Sequence, residues 1–105
     1  MAKILIVDDH AVNRESLSVV LREAGHEVVA ATDAASGFDR AREARPDLII
    51  SDILMPSGDG YEFVRSLRRD ALLSHVPVIF YTAHFNAREA LTLARACGVR
   101  CVLTK

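Results

Sequence analysis

The chain reads as one α/β domain, a doubly wound parallel sheet of five strands with helices on both faces. Three observations predict this. Short apolar runs ("KILIVD", "EVVAA", "DLIIS", "VPVIFY", "RCVL") alternate with amphipathic stretches. The runs are nearly continuous in their hydrophobicity, as strands buried on both faces of a parallel sheet require. Finally, 105 residues, 50% of them apolar and 26% charged, suit a single core of ordinary globular composition.

In chain order, "KILIVD" is the first strand, and its β-branched residues favour a pleated, enclosed backbone. Val12, Leu17, Val20, Leu21 and Ala24 then recur at mostly helical spacing, and Gly25 supplies a stop. "EVVAA" is the second strand. Asp33 is placed to cap a helix whose inner face is Ala34, Phe38 and Ala41, with Pro46 ending the connection. "DLIIS" is the third strand, and "MPSGDG" is a loop by its proline and glycine content. From Tyr61 to Arg69, the positions of Phe63, Val64 and Leu67 predict a short amphipathic helix. "VPVIFY" is the fourth strand. Asn86 is a candidate cap for a helix carrying Ala90, Leu91, Ala94 and Ala96, closed by Gly98, before "RCVL" makes the fifth strand. Strand–helix alternation implies right-handed crossovers. The reading yields five strands and four helices, with no helix after the final strand.

The formal net charge of -1 provides no global attraction to nucleic acid or anionic membrane. No apolar run approaches the ~20 residues needed to span a bilayer, and "MAKILIVDDH" lacks the parts of a signal peptide. Cys97 and Cys101 make neither a disulfide framework nor a zinc site, so they are expected to be small buried apolar residues. A cytoplasmic location is the corresponding expectation.

The unusual polar residues all fall at carboxyl ends of predicted strands, where open parallel sheets bind ligands. Asp8 and Asp9 end the first strand, Asp52 the third, Thr82 the fourth and Lys105 the fifth. Each has an ordinary structural explanation alone: a helix cap, a turn, a solvated lysine. Their joint placement favours function. If the first and third strands are neighbours, three carboxylates converge, and such a group repels itself unless something positive joins it. Mg²⁺ suits that role because it favours carboxylate oxygens and retained waters. Lys105 adds an ammonium and Thr82 a hydroxyl, which together could stabilise a transferring phosphoryl group. An aspartate can itself be the nucleophile in such chemistry.

"ILIVDD", "PDLIISDILMPSGDGYEF", "VPVIFYTA" and "VLTK" together resemble the CheY-like receiver domain of two-component response regulators, from Ile4 to Lys105. The resemblance implies the flavodoxin-like strand order 2-1-3-4-5. It also implies that Asp52 is the phosphorylated aspartate, supplied by a sensor histidine kinase or phosphotransfer protein. Asp8 and Asp9 would belong to the Mg²⁺ site, with Asp9 the direct ligand of the two, and Leu54 would lend its backbone carbonyl. Thr82 and Lys105 would bind phosphoryl oxygens, and Ala83 is small where the family admits the phosphoryl group. The implied role is a signalling switch that relays phosphorylation to an output domain or downstream protein. Such a module is regulatory and is not an enzyme, although it assists its own phosphorylation and dephosphorylation. It implies no direct contact with nucleic acid or membrane.

Three departures from the family pattern qualify the expectation. Val102 stands where members often carry a rotating Tyr or Phe. Leu54 and His84 occupy two variable positions that tune phosphoryl lifetime, and an apolar Leu54 cannot orient an attacking water, so slow self-hydrolysis is expected. The fifth helix and the proline that usually follows the lysine are missing. Residues 1–105 are therefore expected to be a receiver domain truncated after its last strand, with self-association through the face beside the first helix and the last strands.

Other readings fit less well. Haloacid-dehalogenase-type enzymes share the Asp, Mg²⁺, Thr and Lys chemistry but use a D-x-D pattern, whereas this chain has adjacent acids followed by His10. "GDGYEF" imitates only two glycines of a nucleotide-binding loop. The alternative with most substance is a pseudo-receiver, an interaction module not switched by phosphorylation.

Overall fold

A strand that is apolar on alternate and intervening positions alike must be covered on both sides, because successive side chains point to opposite faces. The computed structural model, which describes residues 2–52, 60–82 and 101–104, satisfies that demand with a layered α/β arrangement. Its elements are β1 (Lys3–Val7), α1 (Ala11–Glu23), β2 (Glu27–Ala31), α2 (Ala34–Ala44), β3 (Leu48–Ser51), α3 (Gly60–Arg69), β4 (Val78–Thr82) and β5 (Cys101–Thr104). All pairings are parallel, and the order is β2-β1-β3-β4-β5. Fold class and strand order are both as expected. The helix expected between Asn86 and Gly98, the "MPSGD" part of the loop after β3, and Cys97 lie outside the described residues.

One face of the sheet carries Leu5, Val7, Ile49, Val78 and Phe80, packed with Ala41 of α2, Phe63, Val64 and Leu67 of α3, and Leu73 and Val76. The other carries Ile4, Ile6 and Ile50, with Leu17 and Leu21 of α1 against them. The predicted inner faces of α2 and α3 therefore hold. In α2, Gly37 is also buried, and a Cβ there would lie only 2.9 Å from Val7 Cγ2. That glycine allows the helix to approach the sheet closely. The apolar stripe expected of α1 is only half right. Leu17 and Leu21 face inward, but Val12 and Val20 are 76% and 62% exposed, while Ser18 is buried. Ser18 can occupy an enclosed site because its hydroxyl donates to the Arg14 carbonyl at 2.7 Å.

Capping explains the helix ends. Asp33 and Ser36 form a reciprocal capping box at the start of α2. α1 ends in a Schellman motif: Gly25 adopts φ 94° and donates to Arg22, and the His26 amide donates to the Leu21 carbonyl. Arg45 closes α2 in the left-handed region at φ 50°, and Pro46 cannot continue the helix. Strand ends shift slightly from expectation. β4 begins at Val78 because Pro77 has no N–H to donate, although its carbonyl still accepts from Ile49. Asp47 precedes β3 and clamps the start of β1, accepting from the Lys3 amide through its side chain and donating its own amide to the Lys3 carbonyl.

Candidate functional site

Register aligns the carboxyl ends of four strands. Val7 pairs with Ser51, Ser51 with Phe80, and Phe80 with Val102, so these residues form one row across the sheet. Asp8 and Asp52 are the next residues along β1 and β3. Backbone bonds hold both in place after the strands stop: the Asp8 amide donates to Ala31 at 3.1 Å and the Asp52 amide to Val7 at 2.9 Å. The strand order reverses between β1 and β3, which makes this the crevice where parallel sheets bind ligands.

Asp8 and Asp52 are 3% and 1% exposed. Two buried carboxylates need partners. Asp8 accepts the His10 amide at 2.9 Å through Oδ1, and its carbonyl accepts from Arg14 Nη1 at 2.7 Å. Arg14 thereby ties the first turns of α1 to the end of β1. Beside Asp52, the Ser51 hydroxyl donates to the Asp52 carbonyl at 2.9 Å, fixing the backbone at the end of β3. Asp9 is partly exposed, yet its Oδ1 is fully enclosed and accepts no hydrogen bond among the described residues. His10 Nδ1 lies 3.1 Å from that oxygen and 3.4 Å from Asp8 Oδ1. One donor atom from each of Asp8, Asp9, His10 and Asp52 can be chosen so that all lie within 4.8 Å of one another.

The fold thus brings together the three acids that the sequence nominated. Their hard oxygen donors, including the orphaned Asp9 oxygen, fit a divalent cation such as Mg²⁺. Thr82 is the last residue of β4 and is paired in register with Thr104 of β5. Lys105, Leu54, Ala83 and His84 lie outside the described residues. His10 is the member that sequence reasoning missed. Its place was legible, since a residue between a strand's carboxyl end and the next helix borders the crevice, but no spacing rule singled it out.

The sequence and the fold match known proteins. The model of the response regulator receiver domain matches residues 4–105. Protein PilH of Pseudomonas aeruginosa is 37% identical over 105 residues, covering 100% of this chain and 86% of that protein. The phosphate regulon transcriptional regulatory protein PhoB of Escherichia coli is 37% identical over 81 residues, or 77% of this chain, which spans only 35% of PhoB's length. Among solved structures, the chemotaxis protein CheY4 of Vibrio cholerae superposes with a TM-score of 0.92 at 36% identity, covering 100% of this chain and 87% of that one. A shared parallel sheet of the same class, a family match from Ile4 onward and an acid cluster at the β1–β3 crevice lead to one assignment: the chain belongs to the response regulator receiver domain family.

Proposed function

We propose that this receiver domain is a phosphorylation-dependent switch in which Asp52 accepts a phosphoryl group from a histidine kinase, a phosphotransfer protein or a small phosphodonor. The observation that carries this reading is the enclosure of Asp52 beside Asp8 and Asp9 at the switch point of the sheet. An Asp52 carboxylate oxygen attacks phosphorus and a new O–P bond forms. The donor's P–N or P–O bond breaks, and the leaving imidazole or carboxylate carries away the electron pair. Asp8, Asp9, Asp52 and the Leu54 carbonyl would hold Mg²⁺, with Asp9 as a direct ligand. When bound, Mg²⁺ supplies charge that offsets the crowded carboxylates and the transferring oxygens. Thr82 and Lys105 are assigned to the phosphoryl oxygens; Thr82 is the last residue of β4, two beyond the Phe80 that pairs with Ser51, and Lys105 follows β5 in the sequence. Those two donors read the new negative charge and couple the site to the surface that meets an output domain or partner.

Among the described residues no helix is long and apolar enough to cross a membrane. A cytoplasmic setting accords with a kinase partner and belongs to the same proposal.

Incubation with Mg²⁺ and a small phosphodonor, followed by intact mass, tests the assignment. One added phosphoryl group is expected, lost in Asp52→Asn and in excess chelator. Labelling that persists in Asp52→Asn sinks the acceptor assignment, and labelling indifferent to chelator sinks the metal role. Thr82→Ala and Lys105→Ala should still bind Mg²⁺ yet respond weakly to beryllofluoride. Amide spectra that shift as fully in both variants as in the parent would remove their role. A chain that takes no label from any donor but still binds its partner would be an unswitched interaction module.

A further inference from the structure

Resting on the reading of Asp8, Asp9 and Asp52 as a cation site, we propose that His10 is a further donor there and turns its preference from Mg²⁺ toward borderline first-row ions such as Mn²⁺, Co²⁺ and Zn²⁺.

Geometry is the first support. His10 Nδ1 stands 3.1 Å from Asp9 Oδ1 and 3.4 Å from Asp8 Oδ1. Donors sharing one ion at bond lengths of about 2.0–2.2 Å lie about 3.0–3.4 Å apart at octahedral to tetrahedral angles. The imidazole is therefore at the spacing of a co-ligand, on the same side of the crevice as both carboxylates. The second support is the Asp9 oxygen. It is sealed from water without a hydrogen bond, even with the imidazole at 3.1 Å, so the two are neighbours without being donor and acceptor. A cation beside the ring would satisfy that oxygen. The third is the backbone. His10 is the extended N-cap residue of α1, but its side chain does not cap the helix. Its amide is anchored to Asp8, which fixes the Cα beside the two carboxylates and leaves the ring half exposed.

Chemistry then sets the direction. Mg²⁺ prefers oxygen donors and sheds its waters reluctantly, so a neutral nitrogen adds little to its binding. Imidazole suits softer divalent ions, whose affinities rise along the first row. A site of three carboxylates and one imidazole should hold Co²⁺ or Zn²⁺ more tightly than an all-oxygen site does, with Mg²⁺ nearly indifferent to the change.

Calorimetric titration with Mg²⁺, Mn²⁺ and Co²⁺, each alone, of the parent chain, His10→Ala and Asp9→Asn is the test. Visible absorption of the Co²⁺ form reports nitrogen ligation directly. His10→Ala is expected to lower the Co²⁺-to-Mg²⁺ affinity ratio at least about tenfold, the scale seen when metal-site residues are removed. The Co²⁺ band should shift, while Mg²⁺ affinity changes by a much smaller factor than Co²⁺ affinity. An unchanged ratio overturns the proposal, because it means that His10 only pairs with the acids as a surface charge. Co²⁺ bound elsewhere on the chain would survive both substitutions and also counts against it. Asp9→Asn separates the two readings. If it weakens every ion while His10→Ala leaves the ratio alone, only the histidine proposal fails. If it weakens none, the carboxylate site itself is wrong.

Discussion

The two faces of the sheet are built from strands of nearly the same composition but are enclosed to different degrees. On the α2–α3 face, Leu5, Val7, Ile49, Phe80, Phe63, Val64, Leu67 and Leu73 are 0–2% exposed. Among the described apolar residues of the α1 face, only Ile4, Ile6 and Ile50 are buried, while Leu17, Leu21, Ile79 and Tyr81 keep partial contact with solvent. The difference lies in what covers the strands. α2, α3 and the turn leading to β4 pack against one another as well as against the sheet, and Arg68 pins that turn by donating to the Ser74 and Val76 carbonyls at 3.2 and 2.8 Å. α1 meets the sheet through two leucines and a serine, and its Val12 and Val20 point away. Apolar strand composition therefore states that both faces need covering. It does not state how deeply each will be covered.

The largest expected effect tests the deeper face. Phe63→Ala removes a ring that is 2% exposed and should destabilise the domain by about 3–5 kcal/mol in denaturant titration. Gly37→Ala comes next. Helix propensity alone would make it stabilising by about 1 kcal/mol. The added Cβ, however, would meet Val7 Cγ2 at 2.9 Å and Phe63 Cε1 at 3.3 Å, so a loss of about 1–3 kcal/mol is expected. Val7→Ala in that background should then be less damaging than in the parent. If the two substitutions simply add, the close approach of α2 to β1 is not the cause.

Leu17→Ala probes the shallower face and should lose less than about 2 kcal/mol, since the side chain is only partly enclosed. Equal losses for Phe63→Ala and Leu17→Ala would erase the distinction between the faces. A smaller effect concerns Asp33, whose carboxyl is held below its ordinary value by the Ser36 backbone amide first and the Ser36 side chain second. A carboxylate depressed in the folded state adds stability above its unfolded pKa, near 3.9, and that stability is lost as pH falls through the lower folded value. Asp33→Asn keeps a capping side chain without the titration. Its melting temperature should therefore fall less than the parent's on acidification below about pH 4. Val12→Thr on the outer side of α1 should change stability by less than about 0.5 kcal/mol, the ordinary range for exposed positions.

Much of this molecule was legible from local rules. Five apolar runs became five strands with ends displaced by at most a residue or two, because enclosure on both faces demands continuous hydrophobicity. The Asp33 cap, the Gly25 stop and the Phe63–Val64–Leu67 face of α3 followed from spacing and capping chemistry. Leu73 escaped because it lies in a turn, where no periodicity marks an inward position. Val12 and Val20 misled because helical spacing states which residues share a side of the helix but not which side meets the sheet.

The acids divide in the same way. That Asp8, Asp9 and Asp52 each stand where an apolar run ends is written in the sequence, and so is the class of chemistry such residues serve. Their convergence is not, because it depends on β1 and β3 being neighbours although α1, β2 and α2 separate them along the chain. Nor is the approach of His10 Nδ1 to two carboxylates, which depends on how the chain turns from β1 into α1. Residue type and order determine which groups are available at the end of each strand. Only long-range strand pairing and helix packing decide which of them share a crevice, since distances between sequence-remote side chains are set by the tertiary fold.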